Sequence, residues 1–201
     1  MFYDTETNGH GLPHDPIKAI VAPRPIGWVS SLGPDGAVNL APYSYFNIFA
    51  SNPPIVGFSS EGLKDSVSFI AQTKEFVCNL VSWDLRDAMN ATSAPLPRGE
   101  SEFVHAGLET APSRLVAPPR VKASPASLEC RLVSIQELTT ADGRKLDRWL
   151  VLGHVVGVHI DESCIVNGRF DITMAKTIAR CGYADYVVAD EVFSITRPKG
   201  A

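Results

Sequence analysis

Residues 26–59 read IGWVSSLGPDGAVNLAPYSYFNIFASNPPIVGFS, and their reading decides the fold class. Residues 26–32 form an apolar β run that ends in Gly33-Pro34-Asp35-Gly36. Proline pre-sets φ and glycine tolerates positive φ, so this tetrapeptide is turn chemistry. Residues 37–40 then return as a hairpin partner, Pro42 interrupts, and residues 43–50 extend again. Asn52-Pro53-Pro54 forces a bend before a further strand at residues 55–59. Four β runs in so short a stretch leave no room for helical crossovers between them, which argues against a doubly wound parallel sheet.

The flanks read the same way. Residues 17–22 and 75–81 have strand composition, and residues 128–138 and 148–160 are long β runs joined through Ala141-Asp142-Gly143, a tight-turn sequence. Helical signals are short. One starts at Lys64-Asp65-Ser66, with Asp65 as the cap and Val67, Ile70 and Ala71 on one face. A second covers residues 84–92, with Leu85, Ala88 and Met89 on one side. A third lies near residues 103–108 inside a proline-rich stretch at 93–126. The tail holds a short element near Ile165 and a helical turn near residues 175–179. With no repeat and no linker, residues 1–201 are expected to form a single mainly-β domain: a closed or partly closed, Greek-key-like antiparallel barrel with a few short helices.

Composition sets outer limits. The chain has 201 residues with 45% hydrophobic and 20% charged residues and a net charge of −4, which is ordinary globular composition. No basic excess or stripe marks a nucleic-acid surface, and no apolar run is long enough for a membrane helix. The N-terminus lacks the pattern of a signal peptide. The four cysteines, at 78, 130, 164 and 181, form no C-x-x-C pair, so a cytoplasmic protein with reduced thiols is expected. No metal site is expected either. Pro13 disfavours the helix that would align His10 with His14, and His154 and His159 fall on opposite faces of a β run.

The chemistry-bearing feature is residues 36–60, which carry no charge at all yet contain Asn39, Ser44, Asn47, Ser51, Asn52, Ser59 and Ser60 among aromatic and aliphatic residues. Such a wall suits a planar ligand with polar edges. It runs into the helix start at residues 64–66, where free N–H groups, Lys64 and the hydroxyls of Ser59, Ser60 and Ser66 can together hold a phosphate. These features suggest a nucleotide-like cofactor, the alternative being a buried strand pair followed by an ordinary capped helix, and they do not name the ring.

Residues 21–31 (VAPRPIGWVSS), 39–47 (NLAPYSYFN), Pro53-Pro54-Ile55-Val56, Lys64-Asp65-Ser66 and 75–82 (EFVCNLVS) resemble, in order and spacing, the flavin reductase-like family of FMN-binding split-barrel flavoproteins. Residues 153–160 and Arg180-Cys181-Gly182-Tyr183 match more loosely. The resemblance implies a homodimeric split barrel that holds FMN near the dimer interface and takes hydride from NAD(P)H. It implies that Trp28, Val29, Ser30 and Ser31 line the flavin. Asn39, Ser44, Tyr45, Phe46 and Asn47 would meet the isoalloxazine, and Ser59, Ser60, Lys64, Asp65 and Ser66 the phosphate. Arg180 and Tyr183 would close over the site, and no catalytic acid or base is assigned. Short reductases of two-component monooxygenases typically carry an Ala-His-Ser-type triplet where this chain has Lys64-Asp65-Ser66, so the resemblance leaves two alternatives, a tightly retained FMN and an exchangeable one. His154 and His159 are candidates for the family's nicotinamide-side histidine, but a structural role on their strand is the preferred reading. Two other readings share the barrel: pyridoxamine-phosphate oxidase-like chemistry, and a non-enzymatic carrier of FMN or haem.

Overall fold

The computed structural model describes residues 1–97 and 100–198. The elements run α1 (Ile17–Ile20), β1 (Arg24–Pro25), β2 (Gly27–Leu32), β3 (Val38–Tyr43), β4 (Phe46–Ser51), β5 (Pro54–Glu61), α2 (Asp65–Thr73), β6 (Glu75–Asn79), a 3-10 turn (Trp83–Leu85), α3 (Arg86–Ala91) and α4 (Glu102–His105). They continue with β7 (Thr110–Ala111), β8 (Arg120–Val121), β9 (Ala126–Thr139), β10 (Lys145–Ile160), a second 3-10 turn (Glu162–Cys164), β11 (Ile165–Val166), β12 (Arg169–Phe170), β13 (Ile178–Gly182) and β14 (Asp185–Val188).

Seven strands pair antiparallel in the order β3-β2-β6-β9-β10-β5-β4. The sheet curls until its ends meet. The Tyr43 ring on β3 lies 4.4 Å from that of Phe58 on β5, so the two ends touch through side chains, while β3 and β4 keep unpaired edges. Gly27 permits the closure, since a Cβ there would sit 2.6 Å from the Phe46 ring. The result is the mainly-β split barrel expected from the sequence.

Alternation along β2 divides the interior in two. Val29 faces the barrel core with Val56, Phe58, Ile70, Phe76 and Val151. Trp28 points the other way, into a second cluster with Leu40, Val81, Met89, Phe103 and Ile178. Its indole N–H is satisfied there by Thr92 Oγ1 at 2.9 Å, as a buried indole requires. α2 closes one mouth of the barrel with Val67 and Ile70.

Several sequence expectations shift. Residues 17–22 are not a strand: Pro16 precedes a single helical turn whose Ile17 N–H is held by Asp15 Oδ1 at 3.0 Å. Pro42 does not interrupt, because β3 is an edge strand and proline is tolerated there. Consequently Tyr43 belongs to β3, and β4 begins only at Phe46. Lys64, not Asp65, occupies the cap position of α2. The helical turn expected at residues 175–179 sits earlier, with the Ala175 N–H on the Asp171 carbonyl at 3.1 Å, and Ile178 already opens β13, which pairs with β1 on one side and β14 on the other.

Candidate functional site

The C-terminal end of β3 and the corner after it form one wall of a groove. Three cavities follow one another along it, with volumes of about 550, 200 and 410 Å³. The first and second share Pro42 and Ser93 as walls, and the second and third share Ser44 and Arg180. The groove therefore runs from the start of α2, past residues 42–44, to the β13–β14 hairpin.

At the first end, Lys64, Asp65 and Ser66 face the cavity together with Asn39 and Tyr43. The first helical bond of α2 runs from the Ser68 N–H to the Lys64 carbonyl, and the side chain of Lys64, the cap residue, makes no capping bond. The N–H groups of Ser66 and Val67 thus lie ahead of the helical ladder, as expected at a helix start. Asn39 Nδ2 donates to Ser66 Oγ at 2.7 Å and to Ser31 Oγ at 3.4 Å, which fixes the Ser66 hydroxyl. Burial pushes the Tyr43 phenol above its usual range, partly offset by the neighbouring Ser66 and Ser60 hydroxyls, so it stays a neutral donor. Glu102 also lines this cavity, but its Oε2 is engaged by the Leu40 N–H at 3.0 Å. Burial raises its pKa, the Leu40 bond lowers it, and the charge of Asp65 adds to the rise. An ammonium, helix-start N–H groups and two hydroxyls form a donor set that fits a phosphate.

At the far end, Lys18, Arg24 and Arg180 line the third cavity with Asp15, Tyr45 and Tyr183. Arg24 Nη1 donates to the carbonyls of Lys18 and Val21. Arg180 donates to the Tyr186 hydroxyl and the Tyr183 carbonyl, and its guanidinium lies 4.5 Å over the Tyr186 ring.

A flavin reductase like domain matches residues 21–171. The chain belongs to the flavin reductase-like family. An uncharacterized protein of Aquifex aeolicus is 33% identical over 195 residues, covering 94% of this chain and 95% of the relative. The solved nitrilotriacetate monooxygenase component B of Bacillus cereus superposes with a TM-score of 0.88 at 30% identity, over 97% of this chain and 98% of that one. The 2-nitrobenzoate 2-nitroreductase of Pseudomonas fluorescens gives 0.85 at 26% identity, over 98% and 96%.

In this flavin reductase-like barrel the residues expected from sequence fall into two groups. Asn39, Ser44, Tyr45, Lys64, Asp65, Ser66, Arg180 and Tyr183 all line the groove. Trp28, Val29, Ser30 and Ser31 do not, because β2 is an interior strand with both faces covered and all four are buried. Ser31 acts on the groove only through Asn39. Ser60 is buried, with its hydroxyl on the Gly62 carbonyl at 3.1 Å, and Ser59 uses its N–H on Tyr45. Phe46 packs on the barrel core, and Asn47 Oδ1 accepts its neighbour Ile48's N–H at 2.8 Å. His159 Nε2 contacts Glu129 Oε1, so it belongs to a structural clamp. The sequence reading missed Tyr43, residues 92–96, Glu102, Lys18 and Arg24 as groove residues. Arg24 was legible, since it stands in the Arg-Pro pair that the resemblance quotes. Residues 92–96 carry no chemical signal of their own.

Proposed function

We propose that this chain binds FMN in the groove and works as an NAD(P)H-dependent flavoprotein oxidoreductase. The observation that carries the reading is the lysine-bearing start of α2 opening onto a groove whose wall is the uncharged β3 corner. Lys64, Ser66 and Tyr43 would hold the phosphate, with Asn39 keeping Ser66 in place. Pro42 and Ser44 supply an apolar and a hydroxyl-bearing surface for the ring. When bound, the flavin supplies hydride chemistry at N5, accepting from a reduced nicotinamide and passing electrons on. The protein's part is to orient and to exclude water, so no acid–base pair is needed.

A homodimer supports the same reading. β4 is an edge strand exposed along its length, with Ile48 and Phe49 59% and 56% exposed, a row of apolar side chains with an unpaired edge that asks for cover. The cytoplasm suits the four free thiols. No described helix is long and apolar enough to cross a membrane.

The test is anaerobic addition of NADH or NADPH to the FMN-loaded protein. Bleaching of the flavin band within seconds to minutes is expected with at least one of them. An oxidised spectrum unchanged by either donor would make the chain an FMN carrier and refute the enzymatic reading.

A further inference from the structure

The third cavity is more than the flavin reading requires. The phosphate donors lie at the opposite end of the groove, yet this end holds three cations, Lys18, Arg24 and Arg180, against one carboxylate, Asp15. Among the described residues none of the three is in an ion pair. Asp15 Oδ1 is already engaged by the Ile17 N–H. Arg24 is only 8% exposed, and its Nε is buried without a hydrogen-bond partner. Burying an unpaired cation is costly, so a cavity that keeps one is built for a counter-charge. The volume of about 410 Å³ is that of a small-molecule site.

The walls are held in place from both chain ends. Arg24 is tied to the carbonyls of α1, and Arg180 to Tyr186 and Tyr183 across the hairpin turn. The two segments interlock at Gly182, where φ is +98° and a Cβ would sit 2.8 Å from the Ala19 backbone. Such preorganisation lowers the cost of binding an anion.

We infer that the Lys18–Arg24–Arg180 cavity binds the phosphate or carboxylate of the flavin's redox partner, and so selects anionic co-substrates. The inference rests on the FMN reading for the role of the ligand, but the anion site itself is measurable without FMN. Two sources share this chemistry: the diphosphate of a nicotinamide nucleotide, and the carboxylate of a small organic acid.

Calorimetric titration with pyrophosphate and with benzoate, with and without FMN, separates them. At least one is expected to bind saturably, with a Kd that rises about tenfold in Lys18→Gln and in Arg180→Gln. Tighter pyrophosphate assigns the nucleotide, and tighter benzoate the organic acid. Lys18 is exposed, and only its backbone carbonyl braces Arg24, so Lys18→Gln leaves the fold intact. Lys18→Gln should also leave FMN affinity unchanged. If neither probe saturates, or both variants bind like wild type, the inference is overturned. A parallel loss of FMN affinity in Lys18→Gln would also overturn it, by giving these cations to the cofactor's own phosphate. Wild type that takes up no FMN but keeps Lys18-dependent anion binding would refute the proposed function and leave the anion site standing.

Discussion

Lys64 stands at the cap position of α2, on the wall of the largest of the three cavities. If Lys64 holds the FMN phosphate as proposed, replacing it by alanine removes one charge-assisted hydrogen bond, worth about 1.5–3 kcal/mol. FMN affinity should fall by roughly one to two decades, while riboflavin, which lacks the phosphate, should be indifferent. Fluorescence titration of both ligands checks this, and equal losses for the two would point to damaged folding instead. A second residue-scale test concerns Glu129. Its burial alone would raise the pKa, but bonds from His159 and from the Arg114 and Leu115 N–H groups outweigh that and hold it below the usual carboxylate range. A folded-state pKa below the unfolded one stabilises the protein above the unfolded value, and the gain is lost as pH falls through the folded value. Melting temperature should therefore drop as pH falls below about 4.5. Glu129→Gln should flatten that acid limb while lowering stability at neutral pH.

At the scale of elements, the C-terminal hairpin matters most to the groove. β13 joins β1 through the register Arg24↔Arg180, which sets the two arginines beside each other. Gly182→Ala would force a side chain onto the Ala19 backbone at a φ that only glycine adopts freely. A loss of roughly 1–3 kcal/mol is expected, readable as a lower melting temperature, together with weaker anion binding. This element also shows where sequence reading stops. The strand runs at 26–32, 55–59 and 148–160 were legible because local apolar pattern and turn residues agree there. The gathering of Asn39, Lys64 and Ser66 on one cavity was legible because they stand close in sequence, on one uncharged wall and the helix after it. At the far end Ser44, Tyr45, Arg180 and Tyr183 were named through the resemblance, but their meeting with Lys18 and Arg24 was not legible, because Arg24 and Arg180 come together only through long-range strand pairing, and Ala-Arg-Cys-Gly carries no β pattern of its own. Trp28 was misjudged for the converse reason: the family motif marks β2, but its side chains are consumed by two cores.

At the scale of the whole molecule, an exposed β4 predicts a dimer that buries it. Phe49→Glu, or Ile48→Glu, places a charge in that interface and should shift the protein toward monomer in light scattering at micromolar concentration. A wild type that is already monomeric would refute the dimer. Beneath all of these lies one claim, that the groove between α2 and the C-terminal hairpin is a flavin site. Titrating FMN with the purified chain while following flavin fluorescence tests it most directly. The account predicts saturable quenching with one FMN per chain and weaker binding of riboflavin. Fluorescence that stays at the free-flavin level, from a protein that is itself colourless, would contradict it.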